Sequence, residues 1–110
     1  MQELREYVDE LGRSRYRQWI ALLDRQTEAR ILRFLLRLEE GNLSNVKSVG
    51  AGVFELKMDF GPGYRAYFGR DGERLILLLA GGTKRGQQQD IDQAKASWAA
   101  YKRRKAAGEL

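Results

Sequence analysis

Residues 54–60 constrain the fold more than any other stretch of this chain. Phe54, Leu56, Met58 and Phe60 alternate with Glu55, Lys57 and Asp59. Successive side chains of a strand point to opposite faces, so this period of two predicts a strand with one buried apolar face and one polar face. Gly61-Pro62-Gly63 follows at once, and this composition predicts a tight turn because Pro presets φ and Gly accepts φ > 0. A second strand then carries Tyr64, Ala66 and Phe68 on one side and Arg65 and Tyr67 on the other. Arg70-Asp71-Gly72-Glu73 reads as the next hairpin turn. Leu75 to Ala80 is apolar throughout, as expected of a central strand covered on both faces.

The rest of the chain supplies helices. Residues 3–9 alternate weakly and read as an edge strand that ends before Gly12. Ser14 is an N-cap candidate, and Tyr16, Trp19, Ile20 and Leu23 then share one helical face. Asp24 is expected to cap a second helix from Arg25 to Glu40, with Ala29, Leu32, Leu35, Leu36 and Leu38 as its apolar side and Gly41 as its C-terminal stop. Residues 42–52 are rich in Asn, Ser and Gly and read as a loop. The segment Gly81 to Gly86 is expected to break the third strand. A last helix from Gln87 to Lys105 then docks through Ile91, Ala94, Trp98 and Tyr101. The order β-α-α-β-β-β-α predicts one α+β domain spanning residues 1–110.

Composition narrows the chemistry. The chain has no His and no Cys. That excludes disulfides, thiolate zinc sites, a Cys nucleophile and His-based catalysis, and no metal-ligand set or cofactor motif is evident. Proton transfer would fall to Asp, Glu, Lys, Tyr or water. The net charge is +5, and residues 1–60 hold 10 basic and 10 acidic side chains, so the whole excess lies after residue 60. Such a bias suits a polyanion, an acidic protein partner, or simple solubility. No apolar run spans a bilayer, and the N-terminal residues lack the pattern of a signal peptide, so the expected place is the cytoplasm.

The polar sides of the two hairpin strands hold the candidate site. Lys57, Arg65 and Tyr67 are expected within reach of one another, with Lys84 and Arg85 arriving from the end of the third strand. Arginine grips a phosphate bidentately, lysine acts as a point charge, and an aromatic ring stacks on an unpaired base. RNA brings its own nucleophile, the 2′-hydroxyl, so fixed cations that stabilise the pentacoordinate phosphate can carry most of the work. The plainer reading is that Lys57 and Arg65 pair with Glu55 or Asp59 as solvated cross-strand ions, and that the tyrosines are packing residues.

The stretch Val53-Phe54-Glu55-Leu56-Lys57-Met58-Asp59-Phe60-Gly61-Pro62-Gly63-Tyr64-Arg65-Ala66-Tyr67-Phe68 resembles the signature hairpin of the addiction-module killer proteins. These are RelE/ParE-type toxins of the phage-derived Gp49-like and HigB-like group. Residues 41–50, the exit Leu77-Leu78-Leu79-Ala80-Gly81-Gly82-Thr83-Lys84, and Gln89-Asp90-Ile91 with Ala94 resemble the same group. The resemblance implies a RelE-like fold: a twisted antiparallel sheet, two N-terminal helices and one C-terminal helix. It implies a toxin of a type II toxin–antitoxin system, a metal-independent endoribonuclease that cuts mRNA, on the ribosome in many relatives. The implied partners are a cognate antitoxin of helix-turn-helix type, mRNA, and operator DNA reached through the antitoxin; no membrane is implied. Arg65 matches an arginine used for phosphate contact in such nucleases, and Lys57 and Lys84 match basic positions on the preceding strand and after the last strand; the expected catalytic set is therefore Lys57, Arg65 and Lys84, with Arg65 as phosphate clamp and either lysine, its pKa depressed by neighbouring cations, as the proton carrier. Lys47 from the loop and Arg85 after the last strand also match basic positions, and together with Tyr67, which strand alternation places beside them, they are the RNA-binding candidates. Some relatives place a His or Tyr near the end of the last strand, whereas the nearest downstream tyrosine here is Tyr101. The other branch of the superfamily inhibits DNA gyrase, and a non-catalytic module that grips antitoxin or operator is a third reading of the same fold.

Overall fold

The computed structural model describes residues 2–110. Its elements are β1 (Glu3–Glu6), α1 (Arg15–Ile20), α2 (Arg25–Glu39), β2 (Val46–Gly50), β3 (Val53–Met58), β4 (Tyr64–Asp71), β5 (Leu75–Thr83) and α3 (Gln87–Ala106). The five strands form one sheet in the order β1-β5-β4-β3-β2. The fold is α+β, with the expected two N-terminal helices and one C-terminal helix. Strands β2 to β5 pair antiparallel, and β1 joins β5 in parallel at the edge.

The helices cover opposite faces of the sheet. On one face, Tyr16 and Ile20 of α1 and Ile31, Leu35 and Leu38 of α2 pack on Leu56, Met58, Ala66, Phe68, Ile76 and Leu78. On the other, Ile91, Ala94, Trp98 and Tyr101 of α3 pack on Val53, Tyr67, Leu77, Leu79 and Ala80. Each fully buried large apolar side chain contributes about 1.5–3 kcal/mol, so two such layers are what hold this small sheet between its helices. Both faces of β5 are apolar because both are covered, Ile76 and Leu78 by the α1–α2 side and Leu77, Leu79 and Ala80 by the α3 side; a register shift against β4 between Tyr67 and Phe68 leaves Leu79 as the extra residue.

The predicted caps form. Ser14 accepts a hydrogen bond from the Arg17 amide at 3.0 Å, and Asp24 accepts one from the Thr27 amide at 2.8 Å. Each such cap stabilises its helix by about 1 kcal/mol.

Four expectations change. Residues 46–50 are strand β2 rather than loop: Val46 lies opposite Leu56, and a register irregularity sits between Ser48 and Gly50. The first strand ends at Glu6, short of residue 9. Strand β5 does not stop at Ala80 but runs through Gly81, Gly82 and Thr83. These glycines serve close approach: a Cβ on Gly81 would fall inside the Trp19 ring on one face, and a Cβ on Gly82 would strike the Asp90 carboxylate on the other. Finally, the inward side of α2 is Ile31, Leu35 and Leu38 with Phe34 beside them, while Leu32 and Leu36 are exposed.

Candidate nucleic-acid interface

Cross-strand register assembles the site. Lys47 lies opposite Glu55, Glu55 opposite Tyr67, Lys57 opposite Arg65, and Arg65 opposite Gly82. These positions share the sheet face that α3 covers. Helix α3 roofs only part of that face, so Val53 and Tyr67 disappear beneath it while the Lys47, Lys57 and Arg65 end stays open. There a cleft of about 340 Å³ is lined by Ser44, Asn45, Val46, Lys47, Glu55, Lys57, Asp59 and Arg65.

Arg65 is the anchor of this cleft. It is 7% exposed. Its Nη1 donates to the Gly63 carbonyl at 3.0 Å, and its Nε lies 3.5 Å from Glu55 Oε1 without forming a hydrogen bond. The Gly-Pro-Gly turn is thus part of the site: Gly63 takes φ 81°, a left-handed conformation, and its carbonyl orients the guanidinium. Glu55 is 1% exposed and is the hub of the polar contacts. The Gln87 amide of α3 donates to its Oε2 at 2.7 Å, and Lys47 Nζ approaches its Oε1 at 3.8 Å. A buried charge needs such partners, and Glu55 has contacts from β2, β4 and α3. Lys57 is exposed and lies 3.6 Å from Asp59, also exposed, so this pair adds little stability and leaves the ammonium available.

Two neighbours are shaped by burial. Tyr67 is fully buried, and its hydroxyl has no hydrogen-bond partner. Burial, then the adjacent Glu55 charge, pushes its pKa well above the usual tyrosine value. Burial also raises the pKa of Asp90, which packs over Gly82.

Of the six candidate residues, the sheet brings Lys47, Lys57 and Arg65 to one cleft. Lys84 and Arg85 sit in the exposed turn between β5 and α3, where Thr83 Oγ1 donates to the Arg85 carbonyl, and they do not line the cleft. The turn is nonetheless next to it in the chain, since Gln87 reaches Glu55 from the first turn of α3. Tyr67 is the correction: its ring belongs to the α3-side core and presents no face to a base. Alternation placed it on the right side of β4, but the helix lies over that part of the side. Glu55 and Gln87 are the residues sequence reasoning passed over as parts of the site. Alternation with the core-facing Phe54 and Leu56 placed Glu55 on the polar side of β3 and gave no sign of burial; its buried cross-strand neighbour Tyr67 and Gln87 of α3 enclose it.

Fold and cleft together define a class: a small α+β domain with helices on both faces of its sheet and a buried arginine opening into a cleft where Lys47, Lys57 and Arg65 lie beside Glu55 and Asp59. The chain matches the phage-derived protein Gp49-like family over residues 18–104 and belongs to it. That family belongs to the RelE/HigB-like addiction-module toxin group, a membership that suggests a toxin of a toxin–antitoxin pair and an antitoxin partner. The chain is also 42% identical over 78 residues to an uncharacterized protein of Haemophilus influenzae, covering 70% of this chain and 79% of that one. Among the described residues no helix is long and apolar enough to cross a membrane.

Proposed function

We propose that this toxin is a metal-independent endoribonuclease whose substrate phosphate is held by Arg65 between Lys47 and Lys57. The observation that carries the reading is the nearly buried guanidinium facing a cleft of about 340 Å³ whose rim supplies two more cations. A guanidinium fixed by Gly63 and Glu55 is already aimed, so it stabilises charge developing on phosphate oxygens without reorganising. Glu55 acts through Arg65 by holding it in place.

In the reaction the RNA 2′-oxygen attacks the adjacent phosphorus in line. The bond to the 5′-oxygen breaks, leaving a 2′,3′-cyclic phosphate and a 5′-hydroxyl. The proton lost by the 2′-hydroxyl and the proton gained by the 5′-oxygen pass through Lys57 in the cleft and Lys84 on the adjoining turn. Lys47 and Arg85 hold flanking phosphates. The mRNA is the natural target, read on the ribosome, until the antitoxin neutralises the toxin; operator DNA is reached through that antitoxin. The work is done in the cytoplasm.

The test is direct. Pure protein is incubated with ribosomes and mRNA, and new 5′ ends are mapped by primer extension. Discrete cleavage that is lost in Arg65→Ala and reduced in Lys84→Ala supports the reading, as does relief of growth arrest by each variant. Intact mRNA together with altered DNA supercoiling would instead assign the chain to gyrase inhibition.

A further inference from the structure

The row of residues that forms the cleft runs across the strands and does not end at Lys57. Arg65 lies opposite Lys57. The Lys57 amide in turn donates to the Asn45 carbonyl at 3.0 Å, which makes Asn45, just before β2, the next member of the row. Ser44 and Asn45 line the cleft of about 340 Å³. The same two residues line a second cavity of about 110 Å³, together with Phe34, Arg37, Asn42 and Leu56. The two cavities therefore meet along Ser44 and Asn45.

The second cavity sets polar groups against an aromatic wall. Arg37 is exposed and forms no ion pair among the described residues. Its guanidinium lies over the Phe34 ring, 5.3 Å from the centroid, and Phe34 stacks on Phe60 at 5.9 Å. The ring thus holds the cation in place, as Gly63 and Glu55 hold Arg65. Asn42 accepts hydrogen bonds from the Ser44 amide at 3.0 Å and from the Ser44 hydroxyl, which fixes the loop. The Asn45 carbonyl is engaged by Lys57, while its exposed side-chain amide offers both a donor and an acceptor. Among the described residues no carboxylate lines this cavity; Glu39 and Glu40, the acids nearest Arg37 in the chain, are absent from its walls. A guanidinium grips a phosphate, and a side-chain amide matches the edge of an unpaired base. A single strand presents those two groups together at every step, whereas a duplex hides its base edges in pairing.

We propose that the cavity of Phe34, Arg37, Asn42, Ser44 and Asn45 is a second nucleotide subsite, continuous with the cleft, that takes a neighbouring nucleotide of a single-stranded RNA with its phosphate on Arg37 and its base edge on Asn45. The inference rests on the reading of the Arg65 cleft as an RNA site. It adds a direction: the strand leaves Arg65 along Lys57 and Asn45 toward the end of α2.

The experiment uses the full chain and two 2′-O-methyl RNAs, which lack the nucleophile: a dinucleotide with a single phosphate, and a strand of about six nucleotides. NMR titration gives both Kd values and maps the shifts. The dinucleotide should shift the cleft alone, and the longer strand should add Phe34, Asn42, Ser44 and Asn45. Arg37→Ala/Asn45→Ala should weaken the longer strand at least about fivefold and leave the dinucleotide within about twofold. In Arg37→Ala the slope of log Kd against log salt for the longer strand should fall by about 0.7, as the loss of one phosphate contact requires. Both altered side chains are exposed, and the Asn45 carbonyl that pairs with Lys57 is kept, so the variants retain the wild-type circular dichroism. Arg65→Ala should weaken both RNAs. No binding of either RNA, or binding of both that is unchanged in Arg65→Ala, removes the cleft reading and the subsite with it. If Arg65→Ala weakens both RNAs, the subsite alone is overturned by an unchanged longer strand in Arg37→Ala/Asn45→Ala, or by an equal loss on both RNAs in that variant.

Discussion

Removing both members of the Arg65–Glu55 pair should cost less than the sum of removing each alone. Arg65 and Glu55 side chains are 8% and 1% exposed. Glu55→Ala leaves a buried guanidinium with the Gly63 carbonyl as its remaining hydrogen-bond acceptor. Breaking a buried pair by deleting one partner costs about 3–5 kcal/mol, and the 3.5 Å separation places this pair at the low end, about 3 kcal/mol. Arg65→Ala costs less, about 2 kcal/mol, because Glu55 keeps its hydrogen bond from Gln87 at 2.7 Å. The double variant contains neither stranded charge, so it should lose about 3 kcal/mol rather than the full 5, a coupling of about 2 kcal/mol. Urea unfolding followed by circular dichroism measures all three. For a domain of this size Glu55→Ala should lower Tm by more than about 10 °C. Additivity within about 0.5 kcal/mol would show that the two groups do not depend on each other, and the account of Arg65 as a pre-oriented clamp would fail.

Three further outcomes follow from the same geometry. Inorganic phosphate should raise the Tm of Glu55→Ala more than that of the wild type, because an anion replaces the missing carboxylate beside Arg65; equal shifts in a thermal melt would contradict this. Stability should fall as pH rises from about 10 to about 12, because burial raises the Tyr16 and Tyr101 hydroxyls to about 12 in the fold, while the unfolded chain releases these protons near its ordinary value. A spectrophotometric phenolate titration checks it, and native-state ionisation of all five tyrosines at their ordinary value would refute it. Gly81→Ala should destabilise by at least about 1–3 kcal/mol, since its Cβ would enter the Trp19 ring, whereas Gly72→Ala meets no neighbour and carries only its positive-φ strain; urea midpoints that place Gly72→Ala as the costlier change would overturn the packing argument.

Local pattern made most of the fold legible. Strand alternation located β3 and β4, Ser14 and Asp24 marked helix starts, and the apolar run of β5 announced a central strand. What remained hidden depended on partners distant in the chain. Strand β2 is short and sits in a stretch rich in Asn, Ser and Gly, and only pairing with β3 makes it a strand. Gly81 and Gly82 look like a breaker until Trp19 and Asp90 are seen against them. Leu32 and Leu36 satisfied the helical period as well as Ile31 did, because periodicity gives two candidate faces on a leucine-rich helix and tertiary packing selects one. In the site, alternation correctly grouped Lys57 with Arg65 but could not say that α3 stops short of them while covering Tyr67. The burial of Glu55 was equally invisible, since its neighbours in sequence are ordinary strand residues.

The grip on a phosphodiester is best measured by NMR titration of the wild-type chain with a short RNA carrying 2′-O-methyl groups, which binds but has no nucleophile. Amide and side-chain shifts should centre on Lys47, Glu55, Lys57, Arg65 and Gln87, and should vanish in Arg65→Ala. Saturable binding whose shifts lie away from this cleft, or that persists unchanged in Arg65→Ala, would contradict the assignment.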